Sequence, residues 1–207
     1  MGDTYKLGFQ SIMLKVMGWW AFDVFTLLAS QLDQRSIAAQ TILRNIGLFT
    51  YMIPVGLSSS INFFTGKYIG KNRVDLAHQM SNYTMYVTYV WSFAISLLLW
   101  LLEDSVMNFY TDSVPVIAAM KPAWLIILVF VLFDCVQGVA AGNISGLGLM
   151  KKVTWVTAVD YWVVGIPLAL YTMFQLRMGL RGLWLGPTAA VFLNTAIYQY
   201  VISSADW

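Results

Sequence analysis

Three carboxylates, Asp23, Asp134 and Asp160, sit inside stretches that are otherwise almost wholly apolar, with Lys15, Arg44 and Lys121 less deeply placed in similar stretches. In a hydrocarbon setting a mid-helix aspartate costs roughly 2.5 to 3.5 kcal/mol, so three cost on the order of 8 to 10 kcal/mol unless relieved. Relief comes from a proton, a partner charge or a water-filled cavity, and a site built on the first or last of these takes up and releases protons or a metal cation. The structural alternative is that each aspartate locks helices together by pairing with an intramembrane base, and Arg44 and Lys121 make that arithmetically feasible. Asp134, in "FDCVQGVAAGN", is followed by Gln137 and Asn143, which extend a polar stripe at helical spacing. Asp160, in "AVDYWVVG", has no second polar clue beside it.

Other chemistry is poorly supplied. The single histidine, His78, reads as a solvated loop residue, and the single cysteine, Cys135, permits neither an internal disulfide nor a cysteine metal cluster. No catalytic constellation, metal site or cofactor motif is expected.

The elements that must position these groups follow from composition. The 207 residues are 59% hydrophobic and only 11% charged, with a mean hydropathy of +0.68. A soluble domain carries about a quarter charged residues, so the bilayer is the expected solvent. A formal net charge of +2 argues against a nucleic-acid partner, which needs a concentrated basic face. The nine Trp, eleven Tyr and twelve Phe suit interfacial belts or a cavity for aromatic and cationic ligands. The opening residues are expected to lead into a first membrane helix rather than to form a signal peptide, because Lys15 breaks the apolar run and no small-x-small cleavage site follows.

Six segments meet the length of roughly 17 to 25 apolar residues that a spanning helix needs, near 8–31, 38–65, 80–102, 115–149, 153–175 and 180–203. The expected fold class is therefore an all-α, six-helix membrane bundle forming a single domain over 1–207. The fourth segment is long enough to project from the membrane or bend. With alternating sides, Lys6, Lys15, Lys67, Lys71, Arg73, Lys151 and Lys152 gather on one face. Arg35, Arg177 and Arg181 fall on the other, with the acidic loop residues Glu103, Asp104 and Asp112. The richer face is expected to be cytoplasmic, with both termini inside. The sequons at Asn82 and Asn143 then fall on the wrong side and inside a helix.

Punctuation is equally specific. Pro54 with Gly56, and Gly165 with Pro167, interrupt the second and fifth spans, where a proline frees carbonyls and kinks the helix. Gly138, Gly142 and Gly146 lay a smooth ridge along the fourth span, the kind that lets helices approach closely.

Five segments in order resemble the second six-helix half of eukaryotic-type multidrug and toxic compound extrusion (MATE) transporters. "YKLGFQSIMLKVMGWWAFD" resembles the opening helix of that half, which usually ends Glu-Trp-Trp-Ala-Phe-Glu. "AAQTILRNIGLFTYMIPVGLSSSINFFTGKYIGKN" resembles the next, with Pro54, Gly56, Gly66 and Gly70 matching. "FDCVQGVAAGNISGLG" resembles an Asp-x-x-Gln-Gly stretch, and "YWVVGIP" and "GLRGLWLG" resemble segments of the last two helices. Gly18 stands where the family has a first Glu, and Asp23 shortens the second. Phe64 and Ser145 replace arginines, Thr157 replaces an asparagine, and Asp160 is an added carboxylate.

The resemblance implies an antiporter in which a proton, or in some members sodium, enters as an organic cation leaves. Asp23 and Asp134 fall on the acidic pair tied to coupling. Trp19, Trp20, Gln137, Asp160 and Tyr161 are the accessory or substrate-lining candidates, with cation–π contacts from the aromatics. Such transporters have two six-helix lobes around a cavity. The chain is accordingly expected to be one whole lobe: a fragment, half of a split transporter, or a lobe that pairs with a second copy or with an N-terminal lobe. The other expectation is a non-transporting module that acts as an assembly partner.

Overall fold

A computed structural model describes Val16 and residues 19–205. Within them the chain forms a bundle of helices with no strand. The first, α1, covers Trp19–Ala29. Residues 8–15 and 17–18 of the first predicted span, with Lys6, Lys15 and Gly18, lie outside the described residues. Then come α2 (Gln34–Ile69), α3 (Val74–Leu101), the short α4 (Glu103–Tyr110) and α5 (Val114–Gly146). A continuous helical run, α6 (Met150–Gln175), and finally α7 (Gly179–Ser203) complete the bundle.

The helices α2, α3, α5 and α6 are long and apolar enough to cross a membrane. The 36 residues of α2 span about 54 Å at 1.5 Å per residue, more than the roughly 30 Å of hydrocarbon. The 25 residues of α7 have the length, but the helix turns Asn194, Thr195 and Tyr198 into the protein. Large apolar side chains stand exposed around the outside, among them Phe49, Tyr86, Phe93, Trp100, Trp155 and Tyr200. A surface this apolar belongs against lipid.

Helix ends depart from the sequence reading where helices run beyond the bilayer. His78, expected in a loop, lies in the first turns of α3 and is exposed, with Asn82 Nδ2 3.2 Å from its ring nitrogen. Glu103 and Asp104, also expected in a loop, form the first turn of α4, where acidic side chains suit the positive end of the helix dipole. Asp33 caps α2: its Oδ1 accepts from the Ser36 N–H at 3.0 Å and the Ser36 hydroxyl at 2.5 Å. Those two bonds hold the Asp33 carboxyl below the usual carboxylate range. The α2–α3 turn places Asn72 at φ 55°, a conformation asparagine tolerates.

The bundle is built around α5. It packs against α2, α3 and α7, and its buried side chains, such as Trp124, Ile127, Phe130, Val139 and Ile144, belong to both apolar clusters of the core. The ridge of Gly138, Gly142 and Gly146 is the α2–α5 seam. A Cβ on Gly138 would run into the Tyr51 ring, and one on Gly142 into the Ser58 backbone. One on Gly146 would lie 2.8 Å from the Asn62 carbonyl oxygen. Ser58 fastens the seam by donating its hydroxyl to the Gly138 carbonyl at 2.8 Å. A second close approach joins α6 to α7, where Gly182 sits against the Thr172 backbone and Thr172 Oγ1 donates to the Gly182 carbonyl at 2.7 Å.

Candidate functional site

A cavity of about 490 Å³ opens among α1, α2, α5, α6 and α7, within the range of small-molecule sites. Each wall is one helix face. From α2 come Arg44, Leu48, Tyr51, Val55, Ser58 and Asn62, spaced three or four apart, which places them on one side of a helix. From α5 come Phe130, Asp134, Gln137, Gly138, Ala141 and Ser145, again at spacings of one face. Trp19 and Phe22 enter from α1, Thr157 and Tyr161 from α6, and Trp184 and Tyr198 from α7. Phe22 and Phe130 have centroids 5.7 Å apart, and Phe130 and Trp184 5.2 Å, both edge to face. Phe22 also lies 6.0 Å from Tyr161. These rings make a stiff aromatic wall beside Asp134.

Asp134 is half-buried on that lining. Among the described residues no ion pair or hydrogen bond is made by its carboxylate. Gln137, one turn on, accepts a hydrogen bond from the Tyr161 hydroxyl at 3.4 Å. The predicted polar stripe stops there. Asn143 is nine residues beyond Asp134, half a helical rotation away at 100° per residue. It is fully buried between α2 and α3, where its amide donates to the Ser81 hydroxyl and its Oδ1 accepts from Thr65 Oγ1 at 3.2 Å. Asn143 fastens helices; it is not part of the cavity.

Asp23 occupies a different setting. Its neighbour Phe22 faces the cavity, and one residue's rotation turns Asp23 outward, with 60% of its side chain exposed. It meets Arg44 Nη2 at 2.8 Å, while Arg44 Nη1 donates to Thr26 Oγ1 at 3.1 Å. Asp23 does not line the cavity, but its partner Arg44 does. The other cation considered as a counter-charge, Lys121, pairs instead with Asp104 of α4 at 2.9 Å.

Of the remaining candidates, Trp19, Gln137 and Tyr161 line the cavity together with Asp134. Trp20 is 60% exposed and lies off it. Asp160 is buried, also off the cavity lining, on a π-helical turn (Asp160–Gly165), with Oδ2 unpartnered. Pro54 is buried within α2, and Pro167 lies exposed between the two π-helical segments of α6. Tyr51, Ser58, Asn62 and Tyr198 line the site without having been singled out from the sequence. The three on α2 were legible as a polar stripe at helical spacing.

This arrangement can hold an organic cation: one unpaired carboxylate, an aromatic wall and a ring of hydroxyl and amide groups. Among the described residues there is no group of three or more metal-ligating side chains.

Comparison with known proteins fits that geometry. Over 203 residues the chain is 28% identical to multidrug and toxin extrusion protein 1 of Oryctolagus cuniculus, covering 98% of this chain and 36% of the relative. Multidrug and toxin extrusion protein 2 of Homo sapiens is 28% identical over 206 residues, covering 100% of this chain and 34% of the relative. The chain thus spans about a third of the length of these relatives. Among solved structures, the eukaryotic MATE transporter AtDTX14 superposes with a TM-score of 0.94 at 20% identity, over 100% of this chain and 47% of that one. A multidrug resistance MATE family transporter in its outward-facing conformation gives 0.87 at 13% identity, over 98% and 45%. The family model MatE matches residues 11–171, and with the fold of one transporter lobe in place, the chain belongs to the MATE family of multidrug and toxin extrusion proteins.

Proposed function

We propose that this chain acts as the second six-helix lobe of a cation-coupled exporter of organic cations, with Asp134 as the cation-binding carboxylate. Members of the family are transporters and not enzymes, and the relatives' names describe extrusion of drugs and toxins. The observation that carries the reading is a carboxylate without a counter-charge in an aromatic cavity of drug-sized volume. An organic cation supplies the missing charge and gains cation–π contact with the surrounding rings. A proton, or sodium, supplies the same charge, so the two compete for Asp134, and occupancy by one releases the other. Asp23 completes the coupling pair through Arg44, whose charge at the cavity rim it balances. Alternating access then needs a second six-helix body, on the same chain, on a separate one or as a second copy. The 1–207 segment acts as one membrane domain with its termini on the cytoplasmic side.

The test is pH-gradient-driven efflux of a fluorescent organic cation from vesicles holding the chain with a matching N-terminal lobe. Asp134→Asn is expected to abolish coupled efflux and Asp23→Asn to diminish it, while both proteins still insert. Undiminished efflux in both sinks the carboxylate-pair mechanism. Failure to transport with any partner lobe leaves the chain as a non-transporting assembly module.

A further inference from the structure

Charge is divided unevenly between the two ends of the bundle. At the end where α1 finishes and α4 lies, Arg35, Lys121, Arg177 and Arg181 stand with Asp33, Glu103, Asp104 and Asp112, and the charges cancel. Two of those carboxylates are occupied, Asp104 by Lys121 at 2.9 Å and Asp33 by the α2 cap. At the other end, among the described residues, Lys67, Lys71, Arg73, Lys151 and Lys152 stand with a single carboxylate, Asp75. All five cations are exposed, and none makes an ion pair among the described residues.

Two tight turns bring the five together. The helices α2 and α5 finish side by side: a Cβ on Gly66 would lie 3.6 Å from the Gly146 carbonyl oxygen. The α2–α3 turn closes where the Arg73 N–H donates to the Tyr68 carbonyl at 2.9 Å. The α5–α6 turn closes where the Leu149 N–H donates to the Ile144 carbonyl at 3.0 Å. Packed helices stand about 8 to 10 Å apart, so the long basic side chains of the two turns are within reach of one cluster of phosphates.

Aromatic side chains set the depth of these cations. On α2 the exposed Phe63 precedes Lys67 by four residues, and Lys67 Nζ lies 5.6 Å from its ring centroid. On α6 the exposed Trp155 follows Lys151 by four residues. In each helix a cation therefore shares a face with an aromatic ring and stands one turn, about 5.4 Å, nearer the end of the bundle. Exposed aromatics of membrane helices lie at the headgroup boundary, which puts the cations level with lipid phosphates. The first turn of α6 points to the same sign of ligand. It carries Lys151 and Lys152 at the positive end of the helix dipole, with neither an acidic residue nor a side-chain cap.

We propose that the α2–α3 and α5–α6 turns form a docking site for the headgroups of anionic phospholipids, of which phosphatidylserine is the type. Lys67, Lys71 and Arg73 hold the headgroups from one side and Lys151 and Lys152 from the other, while Phe63 and Trp155 meet the upper acyl chains. Clusters of about four to eight basic residues at a membrane surface recruit anionic lipid in this way. Asn62 and Met150, close to the two turns, line opposite walls of the cavity, so lipid bound here ties those walls together.

The test uses the full chain in phosphatidylcholine vesicles. Quenching of its tryptophan fluorescence is compared for phosphatidylserine and phosphatidylcholine carrying the same brominated acyl chains in both leaflets. The wild-type chain is expected to prefer the serine lipid about fivefold, the scale of one basic residue at an anionic surface. Lys151→Gln with Lys152→Gln removes most of that preference. Lys151→Arg with Lys152→Arg keeps it, which separates lost charge from a disturbed turn. Arg35→Gln with Arg181→Gln takes the same charge from the opposite end and leaves the preference unchanged. A wild type without preference, a glutamine pair that keeps it, or an equal loss in the arginine pair or the opposite-end pair overturns the site. Displacement of the brominated serine lipid by an equal concentration of soluble glycerophosphoserine overturns the lipid assignment in favour of free phosphate.

Discussion

Asp23 and Asp134 are the same side chain in two neighbouring helices of one bundle, yet they live in opposite circumstances. Asp23 points out of the bundle and is satisfied by Arg44 at 2.8 Å. Asp134 points into a cavity and, among the described residues, has no ion pair or hydrogen bond. The first is a charge that has been balanced; the second is a charge awaiting balance. In a medium where each such group costs a few kcal/mol, an unbalanced carboxylate at a ligand-sized cavity is the place where an external cation gains most. The contrast arises from rotation alone. Phe22 and Asp23 differ by one residue, and 100° of helix separates lining the site from leaving it.

Four changes bear on that contrast. The largest effect is expected from Asp134→Asn, which removes the unbalanced charge and reduces coupled efflux to background in the vesicle assay; Arg44→Gln in the same assay leaves measurable efflux of a simple cation. Next is Gly142→Val, which drives a side chain into the Ser58 backbone across the α2–α5 seam. Overpacking of this kind costs about 1 to 3 kcal/mol, visible as a lower thermal midpoint together with a loss of fluorescent-cation binding, because the seam sets where Asp134 faces. Smaller is the stability change in Asp23→Asn, expected to stay within about 1 kcal/mol for an open ion pair; a much larger drop in thermal midpoint would mark Asp23 as a structural lock.

The smallest effect concerns Asp33, a carboxylate outside the membrane spans that serves as a reference for ordinary behaviour. Its hydrogen bonds to Ser36 depress its pKa in the folded protein. The cap therefore contributes fully above the ordinary value near 3.8 and is lost as pH falls through the lower folded value. Protection of the Ser36 amide, its exchange relative to the intrinsic rate at the same pH, is expected to fall only under such acid conditions. Protection at Ser36 that is already lost near neutral pH would show that the cap is not held by Asp33.

Hydropathy made the long helices legible because a bilayer imposes length and composition at once. Val114–Gly146 and Gly179–Ser203 fall within a few residues of the expected 115–149 and 180–203. The glycine ridge of α5 was legible for a similar reason, since a repeat of four on a helix has one physical use. Short amphipathic α4 was not, because eight residues with one buried side chain, Met107, leave no hydropathy signal.

The site was half legible. Asp134 and Gln137 were reached from type and spacing, Tyr161 and Trp19 from the family resemblance, and all four line the cavity. Rotational setting was beyond reach. Asn143 lies nine residues from Asp134 and so faces the opposite way. The π-helical turn at Asp160–Gly165 changes the number of residues per turn, so the facing of the residues beyond it, Pro167 among them, could not be counted off from α6's start. Arg44 was read only as a counter-charge, because a partner on another helix gives no hint that its own neighbour is a cavity.

In the proposed mechanism Asp134 holds the cation and protons compete for it there. This is tested most directly by binding a cationic rhodamine ester to the full chain in nanodiscs across a pH series, in wild type and Asp134→Asn. The expected result is a wild-type affinity that falls as protons are added, and in the variant a weak affinity that does not vary with pH over the same range. Equal affinities with the same pH dependence in both proteins would contradict it.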